Sequence, residues 1–228
     1  MNLVIVRNVK IGNGIPKVCV PIIGSTRDEI ISQAKSLELI SPDIVEWRAD
    51  WFEDVLDTDK TVAITEALRK ILGETPLLFT FRTLKEGGEK TIDSRAYTEL
   101  NIKVSKAGMI DLIDVEAFTG DDIVENIICE AHKSGVKVIV SNHDFKNTPD
   151  KKELISRLCK MQDLGADISK IAVMPKTKAD VLILLAATQE MSEQYARQPI
   201  VTMSMGNMGS VTRMVGEIFG SAITFGAA

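Results

Sequence analysis

Eight short β-branched runs separated by seven segments of helical period predict an α/β protein, and the architecture they favour is a (β/α)8 TIM barrel. Three observations carry that reading. The alternation runs with little interruption after residue 16, each parallel connection needs a crossover helix, and eight such units close a sheet on itself. A doubly wound open sheet is the alternative, but "VPIIGSTRDE" supplies only one glycine where a nucleotide-binding turn after the first strand would carry several. The length of 228 residues matches one such barrel, which takes about 200 to 250, so a single domain over 1–228 is expected.

Residues 1–16 read apart from the rest. "LVIVRNVKIGNG" alternates around Gly12-Asn13-Gly14, which predicts an N-terminal β-hairpin turning at those glycines and placed to cap the N-terminal mouth of the barrel. The first barrel strand is expected at 17–23, followed by a helix at 27–39. Strand and helix then follow as 44–50 and 58–73, 77–82 and 93–108, 112–117 and 121–134, 137–143 and 150–164, 168–174 and 177–196, and 199–205 and 208–219. Helix starts are marked by Asp93 or Ser94 and by Asp121 or Asp122, whose side-chain oxygens can accept free amides. Gly73, Gly108, Gly135, Gly165 and Gly220 stand where helices end. The eighth strand, 221–226, has no helix after it to cover its outer face; the last helix of the barrel is absent from the chain, and a continuation past Ala228 is expected.

Composition narrows the function classes. A hydrophobic content of 45% and a charged content of 26% are those of an ordinary soluble protein, and a net charge of −5 gives no reason to expect nucleic acid or an anionic membrane as partner. Any bound anion must be caught locally. Cys19, Cys129 and Cys159 are odd in number, far apart and set in apolar segments, which reads as three reduced thiols in the cytoplasm rather than a disulfide framework or metal motif. The N-terminus lacks the pattern of a signal peptide, and the longest apolar run, 181–187, is too short to span a bilayer.

Polar residues that interrupt the strands are the candidates for chemistry, because a barrel projects its catalytic groups from strand C-terminal ends. Lys170 lies inside the apolar run "ISKIAVMP", where burial disfavours the ammonium and leaves an amine able to attack a carbonyl. The period of two groups it with Ile168, Ala172 and Met174, against Ser169, Ile171 and Val173. An outward lysine snorkelling between helices is the bland alternative. "IVEWRAD" puts Glu46, Arg48 and Asp50 on one face, either as site residues or as a structural ion-pair ladder. "FTFR" gives Thr80 and Arg82, with Glu86 in the next loop as a catalytic or merely solvated carboxylate. "LIDVEAF" offers Asp114 and Glu116 as counter-charge for arginines or, less favoured, as metal ligands.

"VIVSNHDF" sends Ser141 and His143 to one face, and a strand-end histidine suits general acid–base work. His132, in the last turn of a helix, reads as a surface residue favoured by the helix dipole. The glycine-bearing loop "MSMGNMGSVTRMV" leads into a helix with Arg213 one turn inside, a weak anion-site signal that Arg48 and Arg82 strengthen toward an anionic, oxygen-rich small substrate. An amine and a histidine together can form an iminium ion, take the neighbouring proton and return it to a departing β-hydroxyl, with a carboxylate such as Glu86 steadying the imidazolium. No metal or organic cofactor is required.

The segments "VEWRAD", "FTFRT", "DVE", "VSNHDF", "KIAVMP" and "SMGxMGxxxR", in this order over about 17–227, resemble type I 3-dehydroquinate dehydratase of the shikimate pathway. Each piece alone is unspecific; the joint pattern is not. The resemblance implies Lys170 as the Schiff-base lysine, His143 as general base and acid, and Glu86 as the carboxylate partner of the histidine. It implies Glu46, Arg48 and Arg82 as holders of the substrate's hydroxyls and polar rim, and Arg213 as the partner of its carboxylate. It further implies 3-dehydroquinate as substrate, a cytoplasmic homodimer, and a continuation after "TFGAA" into a closing loop with a serine and a glutamine and then a final helix. Three rivals stand beside this reading: a class I aldolase acting on a phosphorylated sugar, a barrel that binds an anionic metabolite without chemistry, and a metal hydrolase built on Asp114, Glu116 and His143.

Overall fold

The computed structural model describes residues 2–226. Its first element is the expected hairpin, but turned at a different place. β1 (Val4–Val6) pairs antiparallel with β2 (Val9–Ile11) so that Val6 faces Val9, which leaves only Arg7 and Asn8 for the turn. A two-residue hairpin turn demands positive φ, and Arg7 has φ 52°, held there by ion pairs to Asp111 at 2.6 Å and Glu74 at 2.8 Å. The predicted Gly12-Asn13-Gly14 turn instead carries the chain out of β2. Gly12, at φ 95°, passes so close to Pro199 that a Cβ would lie 2.7 Å from its ring.

The eight barrel strands are β3 (Lys17–Ile22), β4 (Ile44–Arg48), β5 (Leu77–Thr80), β6 (Leu112–Glu116), β7 (Lys137–Asp144), β8 (Ile168–Val173), β9 (Ile200–Ser204) and β10 (Ile223–Phe225). All pair in parallel, in the order β10-β3-β4-β5-β6-β7-β8-β9. The two ends of that sheet meet where the Ala222 amide donates to the Ile200 carbonyl at 2.8 Å and Ser221 bridges Ile200. The sheet is therefore a nearly closed barrel, and the open doubly wound alternative is excluded.

Strand parity sorts the apolar residues into two cores. Trp47, Phe79, Val115, Val140, Ile171 and Val173 pack outward with the helices, whereas Ile44, Leu78, Leu112, Ile139, Ile168 and Ala172 fill the lumen. Val4, Val6 and Ile11 of the hairpin join the lumen cluster, so the hairpin plugs the barrel from its N-terminal end as expected.

Helices α1 (Arg27–Ser36), α2 (Thr58–Leu72), α3 (Ser94–Lys106), α4 (Asp121–Lys133), α5 (Lys151–Asp163) and α6 (Lys178–Glu190) cover the outside. Asp93 caps α3 by accepting from the Ala96 amide at 2.9 Å. At α4 neither Asp121 nor Asp122 caps: the N-cap is Gly120, and both aspartates lie in the first turn, where their charge favours the helix dipole. After α6 the chain continues as a wider π turn, Met191–Tyr195.

The helix expected over 208–219 is three separate turns, α7 (Gly206–Gly209), α8 (Val211–Met214) and α9 (Gly216–Phe219). Close approach explains the first break, because Gly209 sits against Ser204, where any Cβ would lie 2.3 Å from the Ser204 carbonyl oxygen. The strands expected at 44–50 and 77–82 are also shorter, and the first gives way to a tight turn at Ala49–Trp51. Residues 227–228 lie outside the described residues, and the expected continuation lies past them.

Candidate active site

A cavity of about 390 Å³ opens at the C-terminal ends of the barrel strands, and Glu46, Arg48, Arg82, Glu86, His143 and Lys170 all line it. These residues reach it from β4, β7, β8 and the segment after β5. Lys170 is 3% exposed and shares the lumen face with Ile168 and Ala172. Its Nζ donates to Asp114 Oδ2 at 3.1 Å and stands 4.1 Å from the centre of the Phe225 ring. The outward, snorkelling alternative is excluded.

Parallel register brings the charges together. Thr80 lies opposite Asp114, Glu116 opposite Ser141, and Ser141 opposite Lys170. Arg82 then reaches inward, where Nη2 donates to Asp114 Oδ1 at 2.7 Å and Nη1 donates to Glu116 Oε1 at 3.1 Å and Ser141 Oγ at 3.0 Å. Ser141 Oγ also donates to Asp114 Oδ1, and Thr83 binds both oxygens of Glu116 through its amide and hydroxyl. Burial alone would raise the Asp114 carboxyl, but Arg82 and Lys170 outweigh it and hold Asp114 below the usual carboxylate range. Asp114 and Glu116 are thus the counter-charge for buried cations, the preferred of the two roles read from their pattern.

His143 is braced rather than free. Glu86 Oε2 accepts from the His143 backbone amide at 2.8 Å and lies 3.1 Å from its Nδ1, while Oε1 accepts from Asn142 Nδ2 at 3.1 Å. Burial, then the positive charges of Arg82 and Lys170, push the imidazole well below its ordinary range. Burial also pushes the Glu86 carboxyl up to about 7, against the pull of Arg82. Burial and those charges disfavour the imidazolium, and an Nδ1–H directed at ionised Glu86 leaves Nε2 as the basic atom. The solvated-loop alternative for Glu86 does not hold, since it is 8% exposed.

Around this centre, Glu46 accepts from Thr80 Oγ1 at 2.8 Å. Arg48 is gripped by Asp50 through two bonds, Nε to Oδ1 at 2.8 Å and Nη2 to Oδ2 at 2.9 Å. Asp50 also accepts the amides of Arg82 and Glu89, so it is a structural anchor for Arg48. Arg213 does not line the cavity. It is half-buried on α8, and its carbonyl accepts from Thr224, the neighbour of Phe225 on the cavity wall. His132 pairs with Asp167 at 2.7 Å, away from the site. Met203, Met205, Phe145 and Phe225 supply apolar wall, and nothing in the pattern of the chain marks them, because apolar residues at strand ends read as core.

A (β/α)8 barrel with a buried amine and a carboxylate-braced histidine facing one cavity defines an enzyme of the barrel class. The family model described as type I 3-dehydroquinase matches residues 18–228, and the chain belongs to that family, whose members are lyases acting on a small molecule. A 3-dehydroquinate dehydratase of Clostridioides difficile (strain 630) is 54% identical over 223 residues, 98% of this chain and 88% of the relative. Another, of Listeria monocytogenes serotype 4a (strain HCC23), is 53% identical over 228 residues, 100% of this chain and 90% of the relative. The crystal structure of type I 3-dehydroquinate dehydratase from Clostridium difficile with covalent modified comenic acid superposes with a TM-score of 0.98 at 54% identity, covering 100% of this chain and 89% of that one.

Proposed function

We propose that the chain dehydrates 3-dehydroquinate to 3-dehydroshikimate through a Schiff base on Lys170, as a step of the shikimate pathway. One observation carries the proposal: the Lys170 amine and the Glu86-braced imidazole of His143 open into the same cavity. Lys170 adds to the ketone as the free amine, the proton its ammonium gave up returns to the oxygen of the adduct, and water leaves to give an iminium ion. His143 Nε2 then takes a proton from the neighbouring carbon, and the electron pair left behind forms an enamine. As that pair moves to expel the β-hydroxyl, the imidazolium returns its proton and water departs. Hydrolysis of the iminium releases the enone and restores the amine. Every proton that leaves carbon thus returns on the departing water, and no cofactor takes part.

Asp114 and Glu116 balance the cations that this cycle keeps buried, and Glu86 steadies the imidazolium as it forms. Glu46, Arg48 and Arg82 hold the polar rim of the substrate. Arg213, on the turn bonded to Thr224 beside the Phe225 wall, is the partner for the substrate carboxylate that the family resemblance supports. The C. difficile relative, solved with covalent modified comenic acid, supports covalent chemistry in this family. Family membership likewise supports a homodimer and a cytoplasmic setting; among the described residues no helix is long and apolar enough to cross a membrane.

Mass spectrometry after borohydride reduction with 3-dehydroquinate tests substrate, covalency and residue together. The expected result is an adduct on Lys170, with an enone absorbance growing in unreduced samples. An adduct on another residue overturns the mechanism, and absence of turnover by folded protein overturns the substrate.

A further inference from the structure

Asn142 lies on β7 between Ser141 and His143, and its side chain leaves the strand on the side of α5, away from the lumen. There the amide bridges two charged groups. Nδ2 donates to Glu86 Oε1 at 3.1 Å, and Oδ1 accepts from Arg157 Nη1 at 3.0 Å. With Glu86 ionised, chemistry fixes which end faces which neighbour: a guanidinium can only donate and a carboxylate can only accept. A reversed amide would set N–H against N–H at Arg157 and oxygen against oxygen at Glu86.

Arg157 is itself held from three sides. Its Nε donates to Glu153 Oε1 at 2.7 Å, Asp144 Oδ2 is 3.8 Å away, and the guanidinium stands 5.6 Å from the centre of the Phe118 ring. The chain of contacts therefore runs from an exposed aromatic ring through Arg157 and Asn142 to Glu86, and from Glu86 to Nδ1 of His143. With Oε1 tied to Asn142, the Glu86 carboxylate keeps Oε2 directed at the imidazole.

We propose that Asn142, its amide orientation fixed by Arg157, is a positioning residue for the Glu86–His143 pair and thereby keeps Nε2 of His143 as the proton-accepting atom. The inference rests on the reading of His143 as general base. Other charges face the pair as well: Arg82 and Glu116 act on Glu86, with Lys85 beside it on the same turn, and Arg82, Lys170, Asp114 and Arg48 act on His143. None of them touches the second oxygen of Glu86 as Asn142 does. Its bond is among the contacts that pull the Glu86 carboxyl back down against burial.

Two readouts decide the matter in Asn142→Ala, Arg157→Met and Arg157→Lys. The first is the tautomer of His143 followed by 15N NMR, in a His132→Gln background that leaves one imidazole. Above about pH 8, where Glu86 is ionised, wild type is expected as a single Nδ1–H form, whereas Asn142→Ala and Arg157→Met show both tautomers. The second is the pH profile of kcat/KM. Both variants are expected to lose about tenfold, in kcat rather than KM, with the acid limb moved up by about one pH unit. Arg157→Lys, which keeps a donor, recovers most of the loss. Wild-type tautomer and acid limb in the folded variants overturn the proposal; should Asn142→Ala fail to fold, the Arg157 pair decides alone. Absence of turnover by wild type would instead overturn the functional reading, and the tautomer experiment would still decide whether Asn142 positions the pair.

Discussion

Arg82, Asp114 and Lys170 are each 3% exposed or less, so neutralising the carboxylate takes the paired anion from Lys170 and leaves Arg82 to Glu116 and Glu86. Asp114→Asn is accordingly expected to cost about 3–5 kcal/mol in urea unfolding, far more than loss of a surface pair such as Arg95 with Glu99. His143→Ala is expected to lower kcat by about 10²- to 10⁴-fold while leaving the borohydride adduct on Lys170, because the proposed mechanism makes imine formation and proton removal separate steps. On the proposed mechanism, the acid limb of kcat/KM is expected to report the coupled Glu86–His143 pair. With burial raising the Glu86 carboxyl to about 7, that limb is expected near pH 7 and should flatten in Glu86→Gln. Lys170 and His143 are legible in the chain because a polar residue in an apolar strand breaks a strong local pattern. Phe225 and Met203 are not, because at a strand end an apolar wall and an apolar core look the same. Asn142 escapes notice for a third reason: its face of the strand points toward a helix, and only the path of the Glu86 loop brings a partner there.

Among the elements, the N-terminal hairpin has the clearest energetic role. Ile11 is fully buried against the strand starts, and Ile11→Ala is expected to cost about 2–5 kcal/mol in chemical unfolding without changing KM, since the plug lies at the mouth opposite the cavity. Local sequence misplaces its turn because Gly-Asn-Gly is a stronger signal than Arg7-Asn8. The tertiary ion pairs of Arg7 with Asp111 and Glu74 hold the residue at positive φ and reverse that preference. A similar override acts at 208–219. Its periodicity is helical, but the contact of Gly209 with Ser204 and the capping of the Ser204 amide by Thr212 divide it into single turns. Arg213 consequently stands on an isolated turn rather than on a continuous helix aimed at the cavity.

Across the whole molecule, the buried charges make stability depend on pH in opposite senses. Glu86 is raised from 4.5 to about 7 in the folded state, so its contribution is fully present below about pH 4.5 and is lost as pH rises through about 7. Asp114 is lowered, so its contribution is present above the ordinary carboxylate value and is lost as pH falls through its folded-state value. Unfolding measured at several values between pH 5 and 8 should therefore show Glu86→Gln gaining stability relative to wild type as pH rises; a constant difference would refute the assignment. The chain by itself determined the barrel, which residues share a face of each strand, and the lysine and the histidine as candidates. These follow from periods of two and 3.6, which are local and repeat along the chain. Only the tertiary structure decided that Glu86 also holds the His143 amide and is tied to Asn142, that Asp114 holds Lys170 while Asp50 anchors Arg48, and that Arg213 does not line the cavity. Those outcomes depend on register between strands and on the routes of loops, which no periodicity within a single segment encodes.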